Sequence, residues 1–143
     1  MTDLMHLAKR LKNNPLSIVV VNGTDIYESD KRGIAPIMQL FSENPTFLSN
    51  ASVADKIVGK AAAMLFIRGG IKELCALTIS EPALECLQAR GISVIYDKKV
   101  KNIINRSGTD ICPMEKAVMN ISDPEQAYTT LAGVIKAMRA SNA

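Results

Sequence analysis

The chain has 143 residues, 48% hydrophobic and 22% charged, which is enough apolar material for one folded domain with a substantial core. A net charge of +3, spread along the chain, is too weak a field for a nucleic-acid or membrane-surface binder, and the cluster Lys98, Lys99 and Lys101 reads as a solvated strand end. No apolar run approaches the roughly 20 residues of a membrane span, and three cysteines without a C-x-x-C exclude a secreted disulfide framework and leave reduced thiols as the expectation.

At the N-terminus, leucines alternate with charge instead of forming a signal peptide, so a cytoplasmic chain is expected. Leu4, Leu7, Ala8 and Leu11 recur at helical spacing and predict a helix over 1–14, ended by Asn13-Asn14-Pro15. Residues 17–21 are a β-branched run, Asn22-Gly23 is a two-residue hairpin signal, and 24–28 return as a second strand. After the polar loop 29–33, Ile37, Leu40 and Phe41 predict a helix over 35–42 that Glu43-Asn44-Pro45 breaks. Ser52-Val53-Ala54-Asp55 has the form of a capping box and predicts a long helix running to Arg68, stopped at Gly69-Gly70. A strand over 73–79, a helix over 82–90 and a strand over 92–96 then imply a parallel crossover. A polar loop over 105–110 leads to a helix starting near Pro113, and Ser122-Asp123-Pro124-Glu125 opens a last helix over 123–140. The expectation is a single domain over 1–143, an α/β fold of three layers, α/β/α, with a mixed sheet between helices.

Several residues along this order carry chemistry. On the predicted helix from Ser52, Lys56 and Lys60 are one turn apart, where like charges repel, and Gly59 between them weakens a helix interior. Two lysines around a glycine would admit an anionic ligand, or they snorkel to solvent while Gly59 packs closely on the sheet. Asp55 is read as a cap or as a partner for a ligand amine. Cys112, just before Pro113 at a helix start, is the best nucleophile candidate, because helix-start amides favour a thiolate. Glu115 would complete a capping box there or act as an acid or base beside the thiol. Asn105, Arg106 and Thr109 offer a loose anion site or serve loop geometry. In Ser80-Glu81-Pro82, Glu81 caps a helix or points into a pocket. Ser29, Asp30, Lys31 and Arg32 have no defining spacing, and the single histidine, His6, is distant in sequence.

The strings V-V-N-G, S-D-K-R-G-I, A-D-K-I-V-G-K-A-A-A, I-S-E-P-A-L and I-N-R-x-G-T-x-x-C-P-M-E-K-A span nearly the whole chain. Through them the chain resembles a small microbial family of unknown function within the cytidine deaminase-like superfamily. The resemblance implies a deaminase-like three-layer fold with a pocket at the two motif helices, and a homodimer built from helices beside it. Zinc deaminases need a histidine or cysteine and a glutamate on the first motif helix and two cysteines on the second. At those positions stand Val58, Lys60 and Ala83, and only Cys86 remains. No cofactor is therefore expected, zinc included. What the resemblance leaves is a pocket with Lys60, Glu81 and Cys112 as catalytic candidates and Asp55, Lys56, Asn105, Arg106 and Thr109 as ligand contacts. Its ligand would be a small polar metabolite with a nucleobase or phosphate. The alternative is a noncatalytic ligand-binding or homo-oligomeric module, and whether the chain is an enzyme stays open at this stage.

Overall fold

A computed structural model describes residues 3–105 and 107–141. Helix α1 (Asp3–Asn13) is followed by the hairpin β1 (Ile18–Asn22) and β2 (Asp25–Ser29), then α2 (Ala35–Glu43). Strand β3 (Ser52–Val58), helix α3 (Lys60–Gly69), strand β4 (Glu73–Ser80), helix α4 (Glu81–Ala89) and strand β5 (Ser93–Val100) alternate through the middle of the chain. Two helices, α5 (Pro113–Val118) and α6 (Pro124–Ser141), complete it. The sheet has five strands in the order β2-β1-β3-β4-β5. β1 is antiparallel to both β2 and β3, while β3, β4 and β5 run parallel. This is an α/β fold with a mixed sheet.

Two apolar clusters flank the sheet. Leu4 and Leu11 of α1 pack against Val19, Ala54 and Cys75 on one face. On the other, Ile18, Val20, Val53, Leu74 and Ala76 meet Ile37 and Phe41 of α2, the Ala61–Phe66 side of α3, Leu87 of α4 and Leu131 of α6. Each crossover places its helix on that second face, so α3 and α4 touch one another. Among the described residues, no helix is long and apolar enough to cross a membrane.

The segment Ser52–Val58 departs from its predicted helix: it is a strand at the centre of the sheet. Its backbone is paired on both sides, with Ile18 and Ala76 flanking Asp55, and the hydroxyl of Ser52 donates to the Glu73 carboxylate at 2.6 Å rather than capping a helix. Pairing with β1 over Ser52–Asp55 and with β4 along the strand takes up backbone groups that a helix would have paired internally, and tertiary pairing overrides the local signal. Lys56 and Lys60 therefore do not share a helix face. The hairpin turn is also one residue later than expected, at Gly23-Thr24, because Asn22 pairs with Asp25. The Asn22 amide is used elsewhere, donating to the carbonyls of Phe47 at 2.8 Å and Ser49 at 3.0 Å. β5 extends beyond the predicted 96 to Val100, aligning Lys98 with Thr78 and Lys99 with Ile79.

Candidate functional site

β3 and β4 are parallel, so both deliver the chain at the same edge of the sheet into the starts of α3 and α4. Beside those starts lies a cleft of about 260 Å³, bordered by Lys60 of α3, Ser80 and Cys86 at the entry and first turns of α4, Asn102 and Ile103 after β5, and Glu115 of α5. Parallel α/β sheets leave such a crevice where their strands end.

The carboxylate of Glu115 is the organising group. Its Oε2 accepts from the Ala61 amide at 3.0 Å, so it caps α3 from another helix. Gly59, the residue before α3, has no side chain with which to do this, and a Cβ built on it would fall 1.5 Å from Glu115 Oε1. Burial pushes the Glu115 carboxyl up from its ordinary range, opposed by the Ala61 and Lys60 amides and by the Lys60 charge. Lys60 extends its Nζ to the Met119 carbonyl at 3.0 Å, closing the cleft from α3 to the end of α5. Burial also raises the Cys86 thiol, partly offset by the Lys60 charge, so burial works against its activation as a nucleophile.

Of the residues singled out in the sequence, Lys60, Cys86 and Glu115 border this cleft, whereas Glu81, Cys112, Asp55, Lys56, Asn105 and Thr109 do not. Glu81 is exposed at the first position of α4, and the cap of that helix is the buried Ser80, whose Oγ accepts from the Ala83 amide at 3.2 Å. Cys112 is half-buried at the start of α5, its backbone tied to the Ile103 carbonyl at 3.0 Å. Glu115 does not turn back to it as a capping box would; it reaches across to α3. Asn105 and Thr109 brace their own loop: Asn105 Oδ1 accepts from the Thr109 amide at 3.1 Å and from the Ser107 hydroxyl at 3.1 Å. Arg106 lies outside the described residues. Lys56 is exposed on β3, and His6 is exposed on α1, across the sheet from the cleft.

Asp55 is buried within β3, 6% exposed, and burial pushes its carboxyl up to about 8 against the opposing amides of Ile57 and Lys56. It neither caps a helix nor borders the cleft. Glu115 and Ser80 are the residues of the site that sequence reasoning misjudged or passed over. The one signal pointing to Glu115 was Gly59, a glycine whose missing side chain had no explanation within its own segment.

A model for a domain of unknown function, DUF1893 (TM1506), matches residues 6–135. The chain belongs to the DUF1893 family. The crystal structure of a DUF1893 family protein from Thermotoga maritima is similar to it with a TM-score of 0.84 and 32% identity, over 93% of this chain and 90% of that one. No curated protein matches this DUF1893 chain.

Proposed function

We propose that the cleft binds a small polar metabolite of nucleobase size, in a deaminase-like architecture that works without zinc. The convergence of Lys60, Cys86 and Glu115 on one cavity carries this reading. The central β3-α3-β4-α4-β5 unit, with an antiparallel hairpin on its flank, agrees with the three-layer arrangement that the family resemblance implies. Size argues for a base rather than a nucleotide, because about 260 Å³ lies below the roughly 300–1,000 Å³ of pockets for drug-sized ligands. Charge argues the same way. The first amides of α3 hold Glu115 and the Ala83 amide of α4 holds Ser80, so a phosphate would have to displace a cap.

The residues present do not fit zinc. Val58 and Ala83 are buried and apolar, Lys60 is a cation, Cys86 supplies one thiol, and the Glu115 carboxylate is engaged with α3. Among the described residues, no three histidine, cysteine, aspartate or glutamate side chains are grouped to hold a metal ion.

One observation favours a noncatalytic module instead: the polar ends of Lys60 and Glu115 both bond within the protein. A thermal-shift panel of nucleobases, nucleosides, nucleotides and sugar phosphates, with added zinc and with chelator, separates the two readings. Binding at about 100 times the dissociation constant adds roughly 2.7 kcal/mol, which is readily measured. We expect stabilisation by nucleobase-sized compounds that is lost in Lys60→Ala and kept in Lys9→Ala. A panel without response would shift the assignment to the noncatalytic module, and a response that requires zinc would overturn the metal-free reading.

A further inference from the structure

Between α2 and α6 lies a second and larger cavity, an open groove of about 800 Å³. Its floor is apolar, with Met38 from α2, Met114 from α5, and Tyr128 and Ile135 from α6. From Tyr128 to Arg139 the α6 wall runs about 16 Å at roughly 1.5 Å per residue. The volume falls within the roughly 300–1,000 Å³ of small-molecule sites, and methionine floors adapt to flexible apolar chains.

The two ends of the groove differ in charge. Phe41 and Tyr128 meet edge to face with ring centroids 5.4 Å apart, which joins the C-terminal half of α2 to the first turns of α6. From that contact α6 leads to Lys136 and Arg139, while α2 leads back to the loop carrying Arg32, and all of these line the same groove. Three cations thus line the groove away from the Phe41–Tyr128 contact, each along its own element. Lys31 lies between, its Nζ donating to Gln39 Oε1 at 3.1 Å, and Gln39 Nε2 donates in turn to Glu43 Oε1 at 3.0 Å. Among the described residues, none of the four cations is in an ion pair.

We propose that this groove binds a single-chain amphiphile with an anionic head, its apolar chain over Met38, Met114, Tyr128 and Ile135 and its carboxylate or phosphate at Arg32, Lys136 and Arg139. An acidic amphipathic helix is the poorer fit, since it would carry carboxylates along its length, whereas the cations lie away from the Phe41–Tyr128 contact and Glu43 lines the groove beside Phe41. The site is separate from the cleft at Lys60 and shares no lining residue with it.

Isothermal titration of the full chain with laurate, dodecyl phosphate, dodecanol and inorganic phosphate, each below its micelle concentration, tests the assignment. Saturable one-to-one binding of a dodecyl anion is expected, at least tenfold tighter than dodecanol, with no binding of inorganic phosphate. Laurate and dodecyl phosphate together distinguish a general anionic head from a phosphate-specific one, and either result supports the site. The exposed charge reversal Lys136→Glu/Arg139→Glu should weaken binding at least tenfold while circular dichroism stays unchanged, and Lys60→Ala should leave it unaltered. Absence of saturable binding by either dodecyl anion, equal binding of dodecanol, or indifference to the charge reversal would each overturn the proposal.

Discussion

Space, not backbone conformation, makes position 59 a glycine. Its φ of −99° and ψ of −179° are open to any residue, but the Glu115 carboxylate occupies the place where a side chain would begin. In Gly59→Ala the flexible Glu115 side chain has to withdraw, and α3 loses the acceptor for its Ala61 amide. Loss of such a cap costs about 1 kcal/mol, so urea denaturation of Gly59→Ala should show destabilisation of at least that size. Glu115→Ala removes the same bond by the other route, and the two changes should be non-additive. Their combination should cost about 1 kcal/mol less than the sum, the coupling expected of residues that share one interaction. A residual cost of Gly59→Ala in the Glu115→Ala background is expected from Ile103, whose Cγ1 would lie 2.9 Å from the new Cβ. Strict additivity of the two changes would show that Glu115 and Gly59 are independent.

At the scale of elements, the central strand was the part that the sequence concealed. Ser52 and Asp55 imitate a helix cap, and Val53 and Ile57 are one helical turn apart, so the segment satisfies a helical pattern that continues smoothly into Lys60. Its strand character comes from Ile18 on one side and Ala76 on the other, contacts that no local window contains. By contrast, the hairpin, the β4-α4-β5 unit and α6 were legible, because each carries its own turn or cap: a positive-φ Gly23, Ser80 before Pro82, and Asp123 accepting from the Gln126 amide. The same division holds for the site. Lys60 was visible through its neighbouring glycine, whereas the cap that Glu115 gives α3 joins residues 54 apart in sequence. Hydrogen exchange provides the test for β3. Amides paired into a central strand open only with the whole protein, so residues 53–56 should exchange as slowly as those of β4 and more slowly than the braced surface loop around Asn105. Exchange of 53–56 at the rate of that loop would rule out a central strand.

For the whole molecule, the dominant consequence of burying Asp55 is a stability that falls as pH rises. In the native protein this carboxyl holds its proton up to about 8, whereas in the unfolded chain it ionises near 3.9. Between those values the unfolded state releases a proton that the folded state retains, so the folded state loses ground with every unit of pH. Below the unfolded value both states are protonated and the group has no effect; above about 8 both are ionised and the cost is constant. Glu115, also raised by burial, acts in the same direction. Glu28 and Asp110 are lowered by their partners Arg10 and Lys116 and act oppositely, but only below the ordinary carboxylate range, where Asp55 is silent. Asp55→Asn keeps an oxygen to accept from the Ile57 amide, a contact of 3.4 Å in the native protein, and removes the charge that burial penalises. At about 1.4 kcal/mol per pKa unit, the variant should be more stable than the native protein by a few kcal/mol at pH 8. That advantage should shrink steadily on acidification and vanish near pH 4. Thermal midpoints of both proteins across pH 4 to 8 decide the matter: parallel curves would mean that Asp55 ionises freely in the folded state, through a solvent or ligand contact at the centre of the sheet.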